Sequence, residues 1–110
     1  MQPKTRIFVV DDHPMLRRGL SETIAQQPDM ELCGEAEDAA TTLRSMPKTL
    51  PDIAIVDISL KDSDGLNLVK DLAVRHPDVK VLVLSMYEEE LYAERALRAG
   101  ARGYIMKQEA

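Results

Sequence analysis

The chain has no tryptophan, one phenylalanine and one cysteine among its 110 residues. A lone cysteine, Cys33, cannot close an internal disulfide, which fits a reducing compartment. No apolar run approaches the roughly 20 residues that span a bilayer. The apolar run Ile7-Phe8-Val9-Val10 is too short for a signal-peptide core, and two aspartates follow it at once. The expectation is a cytoplasmic chain with no membrane partner. Basic residues are outnumbered, leaving a net charge of −5. A chain of that sign is a poor candidate for gripping nucleic acid by itself. There is no repeat, no low-complexity tract and no Gly/Ser/Pro linker. With 45% hydrophobic and 30% charged residues, the composition is that of one ordinary globular domain.

What is present is a rhythm. Ile7-Phe8-Val9-Val10 reads as a strand buried on both faces. Pro14 then opens a helix, where its missing N–H is no loss. Leu16, Leu20 and Ile24 recur along that helix, and Gln27-Pro28-Asp29 stops it. Met30 to Glu35 is a weaker strand, with Leu32 inward. Asp38 can cap a helix carrying Ala39, Leu43 and Met46, which Pro47 is expected to end. Ile53-Ala54-Ile55-Val56 is a second buried strand. Leu66 to His76 is helical, with Leu68, Val69, Leu72 and Ala73 inward. Val79 to Leu84 is the strongest strand. Glu88 to Ala99 is helical, with Ala93, Ala96 and Leu97 inward and Gly100 as its stop. Arg102 to Met106 is the last strand. Alternation of this kind predicts an α/β fold, a parallel sheet with helices on both faces. No helix follows the last strand in the 110 residues, so the expectation is a domain truncated before its final helix.

Polar residues gather where the strands end. In open α/β sheets chemistry collects at the carboxyl ends of the strands. The first strand runs into Asp11-Asp12, the third into Asp57, the fourth into Ser85 and the fifth into Lys107. Three close carboxylates repel, and a divalent cation is the natural remedy. Hard oxygen donors in a compact site favour Mg²⁺ and leave room for a phosphoryl group. An aspartate can carry that group as an acyl phosphate, and a lysine and a hydroxyl can bind its oxygens. A single aspartate at a strand end is more often a helix cap. Complementary groups at four strand ends favour a site. His13, before Pro14, is expected to be a solvated loop histidine rather than a chemical group. Cys33 is expected to be a small core residue.

In order and spacing, Val10-Asp11-Asp12-His13-Pro14, Ile55-Val56-Asp57, Asp64-Gly65-Leu66, Leu84-Ser85 and Gly103-Tyr104-Ile105-Met106-Lys107 resemble the receiver domain of two-component response regulators. The resemblance covers the whole chain. Asp11-Asp12-His13-Pro14, Arg18-Gly19-Leu20 and Ala101-Arg102-Gly103-Tyr104 are similar to the NarL/FixJ (LuxR-type) subfamily. This implies a flavodoxin-like (CheY-like) doubly wound, five-stranded parallel sheet of strand order 2-1-3-4-5. It implies Asp57 as phosphoacceptor and Asp12 as the main Mg²⁺ carboxylate, with Asp57 itself also a ligand. Asp11 would act through bound water, and Ser59 would lend its backbone carbonyl. Ser85 and Lys107 would hold the phosphoryl group, and Ser85 and Tyr104 would switch. The implied partners are a sensor histidine kinase, DNA through a helix-turn-helix output domain absent from this chain, and a second copy as a possible homodimer. Lys61 and Gln108 depart from the pattern, each standing where proline is common. Three other readings compete, one of them a stand-alone receiver acting as a protein-binding module. A haloacid-dehalogenase-type phosphatase needs a second acid two residues after its nucleophile, and Ser59 is there instead. A flavodoxin-like nucleotide binder needs a Gly-rich loop after the first strand, where Asp11-Asp12-His13-Pro14 is acidic.

Overall fold

The computed structural model describes residues 3–58, 65–85 and 90–106, without the side chains of 90–92 and 106. Nine elements alternate along it: β1 (Thr5–Val10), α1 (Pro14–Ala25), β2 (Met30–Ala36), α2 (Ala39–Thr49), β3 (Ile53–Asp57), α3 (Gly65–Arg75), β4 (Lys80–Ser85), α4 (Glu90–Arg98) and β5 (Gly103–Met106). The five strands form one parallel sheet in the order β2-β1-β3-β4-β5. The expected α/β class and strand order therefore hold.

Apolar residues on both faces of the central strands explain the two layers of helices. Phe8 and Val10 face one cluster, completed by Met46 of α2, Leu68, Val69 and Leu72 of α3, and Ala96 of α4. Ile7 and Val9 face the other, where Ile24 and Leu20 of α1 pack with Leu32, Ile53 and Ile55. Burying a side chain of this size contributes roughly 1.5–3 kcal/mol. The four β1 residues from Ile7 to Val10 are thus the chief anchor of both layers. β1 and β2 slip register between Ile7 and Phe8, so that Phe8 pairs with Gly34 and Cys33 is passed over. A Cβ on Gly34 would lie 2.7 Å from the Phe8 ring, so the ring fits there only against glycine. Cys33 is left half-buried, and burial pushes its thiol above the usual range.

Three local expectations need correction. Pro47 does not end α2, which runs on to Thr49. So close to the carboxyl end, proline forfeits one hydrogen bond, and Leu50 closes the turn by donating to the Met46 carbonyl at 3.0 Å. Leu97 does not face the core but is 52% exposed, and α4 packs instead through Ala96, with Ala99 buried just after it. Small residues there bring the helix close to the sheet, and Leu97 falls on the outer side. Ala73 is only half-buried beside Leu72. Gly100 does stop α4, with φ of +115°, and a Cβ there would lie 2.6 Å from that of Ala73.

Candidate functional site

The chain leaves β1 for β2 on one side and returns to β3 on the other, so the carboxyl ends of β1 and β3 flank the crevice where the strand order reverses. Val10 pairs with Val56, which sets Asp11 beside Asp57. Asp11 extends the ladder, its N–H donating to the Ala36 carbonyl at 3.0 Å. Its side chain folds back, and Oδ1 accepts from the His13 backbone N–H at 2.8 Å. Arg17, one turn into α1, donates to the Asp11 carbonyl at 2.6 Å and pairs with Glu35 at 3.3 Å. Ser21 holds the other Glu35 oxygen at 3.0 Å. The loop after β1 is therefore braced from α1 and β2 together.

Asp57 ends β3 with no exposed surface. It pairs with Leu84, so Ser85 lies one residue further out on the neighbouring strand, also fully buried. Tyr104, on β5, pairs with Val83 of β4 and packs partly buried against the core. Asp11, Asp12, His13 and Asp57 each offer one donor atom, and these atoms lie within 4.8 Å of one another. Asp11 is 1% exposed and the Asp12 side chain 12%.

His13 is the surprise in this group. Its Nδ1 lies 2.9 Å from Asp11 Oδ1, 3.1 Å from Asp12 Oδ1 and 3.4 Å from Asp57 Oδ2. The expectation of a solvated loop histidine is wrong for the ring's inner edge, although the side chain keeps 41% of its surface exposed. Its place before Pro14 holds its backbone extended, at φ −95° and ψ 103°. That conformation, with the turn closed on Asp11, points the ring back over the strand ends.

The donor set suits a hard divalent cation. Three carboxylates offer oxygen donors within 4.8 Å of one another, a group that could hold a metal ion, and Mg²⁺ takes oxygen donors of this kind. Their mutual repulsion falls when a cation shares them. A cavity of about 610 Å³ lies at the opposite, amino ends of the strands, lined by Lys4, Arg6, Asp52 and Lys80. Its Arg6 is already tied to Glu31 and to the Thr49 carbonyl.

Residues 7–110 match the response regulator receiver domain. The chain belongs to this family. The receiver is 36% identical over 96% of its length to the transcriptional regulatory protein DegU of Brevibacillus brevis, covering 44% of that protein. It is 37% identical over 93% of its length to the DNA-binding transcriptional activator DevR/DosR of Mycobacterium tuberculosis, covering 47%. Among solved structures it superposes with a TM-score of 0.92 on the signal receiver domain of the putative response regulator NarL of Mycobacterium tuberculosis. That match has 29% identity over 99% of this chain and 88% of the other. These relatives place it with the LuxR/NarL-type regulators. The receiver spans about half the length of the curated relatives it matches. The phosphatase and nucleotide-binder readings give way to this assignment.

Of the residues expected to form the receiver's site, Asp11, Asp12 and Asp57 are brought together, and Ser85 is set on the adjoining strand end. Lys107 and Ser59 lie outside the described residues, as do Lys61 and Gln108. Arg17, Glu35 and His13 are the members that the sequence reading missed. A sequence signal for His13 did exist, since a residue held extended between a strand-end carboxylate pair and a helix-opening proline has few directions for its ring.

Proposed function

We propose that this receiver is a phosphorylation-operated signalling switch whose phosphoryl acceptor is Asp57. The observation that carries the reading is a buried carboxylate at the end of β3, beside two further carboxylates at the end of β1. In the proposed reaction an Asp57 oxygen attacks the phosphorus of a kinase phosphohistidine. The P–N bond breaks, its electron pair and a proton remain with the imidazole, and an acyl phosphate forms on Asp57. Asp12, Asp57 and the Ser59 carbonyl would hold Mg²⁺, with Asp11 acting through water. When bound, that ion neutralises the carboxylates and the phosphoryl oxygens.

The protein's own groups do the remaining work. Lys107 and Ser85 bind phosphoryl oxygens. In this reading movement of the buried Ser85 repacks its neighbours, and Tyr104 on the adjoining strand follows. Catalysis is confined to the domain's own phosphorylation and dephosphorylation. A sensor histidine kinase is the donor, the cytoplasm the setting, and a DNA-binding helix-turn-helix domain in the parent protein the output. A second copy of the chain, as a homodimer, is a further candidate partner. The length of the relatives supports the output domain, since each extends well beyond the region matched.

The test is intact mass after incubation with acetyl phosphate, with and without Mg²⁺. One Mg²⁺-dependent phosphoryl group, absent from Asp57→Asn, is expected. Labelling of Asp57→Asn at the normal rate would overturn the assignment.

A further inference from the structure

The ligand set implied by the family contains only oxygen. The geometry around His13 points to a nitrogen beside it. Nδ1 has three carboxylate oxygens as neighbours, at 2.9, 3.1 and 3.4 Å. An imidazole nitrogen carries at most one proton, so it can direct one good hydrogen bond at one of them. Two of these oxygens belong to Asp12 and Asp57, the carboxylates assigned above as direct metal ligands, so the nitrogen lies beside the metal's own donors. In an octahedral site with metal–donor distances near 2.1 Å, neighbouring donors are about √2 times farther apart, roughly 3.0 Å. The 3.1 and 3.4 Å separations from Asp12 and Asp57, the two carboxylates assigned as direct ligands, lie slightly above that edge length, so Nδ1 stands where a corner next to both would be, while its 2.9 Å contact with Asp11 Oδ1 is a hydrogen bond that a ligating ring gives up.

Its position is built in rather than incidental. Pro14 restricts the backbone of His13, and the Asp11 side chain accepts its N–H at 2.8 Å. The side chain keeps 41% of its surface exposed, and a neutral imidazole that ligates through Nδ1 carries its proton on Nε2.

We propose that His13 is a divalent-cation ligand of this receiver through Nδ1, replacing one water, and that it shifts metal preference from Mg²⁺ toward Mn²⁺. The inference rests on the reading of the acidic cluster as a metal site. Nitrogen donors favour the transition ion, whereas Mg²⁺ keeps oxygen and water. His13→Ala should therefore lower Mn²⁺ affinity by roughly tenfold and Mg²⁺ affinity by much less.

The direct test is pulsed electron paramagnetic resonance of Mn²⁺ bound to the untagged chain, beside calorimetric Mn²⁺ and Mg²⁺ titrations. Nitrogen coupling from a directly bound imidazole is expected in the wild type. It should vanish in His13→Ala and in His13→Gln, the second variant guarding against a folding defect in the first. The other histidine, His76, closes α3 by donating to the Leu72 carbonyl and lies beside Pro51 and Asp52, away from this site. Stoichiometric Mn²⁺ binding that is lost in Asp12→Ala but shows no nitrogen coupling would overturn the role of His13 and leave the metal site standing. Tighter binding by His13→Ala would also overturn it, because the ring would then be an obstacle. No Mn²⁺ or Mg²⁺ binding by the wild type would overturn both readings.

Discussion

Asp57→Asn should make the metal-free protein more stable and at the same time remove most of its response to Mg²⁺. The substitution keeps the shape of a side chain with no exposed surface, so packing changes little. It removes one of three carboxylates whose donor atoms lie within 4.8 Å of one another. At that separation and an effective dielectric of 20, each like-charge pair repels by about 3.5 kcal/mol. The His13 ring among the three oxygens and the partial exposure of Asp12 reduce this. A net gain of roughly 1–3 kcal/mol is expected in chelator. Saturating Mg²⁺ at a hundredfold its Kd should stabilise the wild type by about 2.7 kcal/mol. The variant should gain far less, so its advantage shrinks or reverses as Mg²⁺ rises. Urea denaturation in chelator and in Mg²⁺ measures both terms. A variant less stable than wild type in chelator, or one that gains as much from Mg²⁺, would refute the picture of a repulsive cluster relieved by a cation.

Three further outcomes follow from the fold. Gly100→Ala should cost about 2–4 kcal/mol in urea denaturation, because it combines strain at positive φ with a 2.6 Å approach to Ala73. Adding Ala73→Gly should recover the packing part alone. Leu50→Gly should stabilise by about 0.5–1 kcal/mol, since Leu50 is left-handed at φ 45° and 71% exposed, with little packing to lose; an unchanged urea midpoint would count against that strain. At Asp38, the hydrogen bond from the Thr41 N–H holds the carboxyl below its ordinary 3.8. The folded state then sheds this proton more readily than the unfolded one, so the stabilisation is full above pH 3.8 and lost as pH falls through the lower folded value. The stability difference between wild type and Asp38→Asn, followed by denaturation across that range, should diminish on acidification.

The sequence made the sheet legible because its buried strands are uninterrupted apolar runs. Ile7 to Val10 and Ile53 to Val56 need no tertiary information to be recognised. Their ends then place Asp11, Asp12 and Asp57 in one crevice once the strand order is known. What was not legible depended on contacts between elements. The slipped register at Cys33 comes from the fit of the Phe8 ring over Gly34, which no local pattern encodes. Leu97 obeys helical spacing as well as Ala96 does, and only the close approach of α4 to the sheet selects the smaller residue. His13 was misjudged for a related reason. Its chemistry depends on where the turn aims the ring, and that is fixed jointly by Pro14, Asp11 and the Arg17–Glu35 brace.

The most direct test of the central claim is to locate the phosphoryl group by residue. Acyl phosphates are reduced by borohydride, which converts the modified aspartate to homoserine. After reaction with acetyl phosphate and Mg²⁺, peptide mapping should find homoserine at position 57 and at neither Asp11 nor Asp12. Homoserine at either of those positions, or a phosphorylated chain with Asp57 intact, would contradict the account.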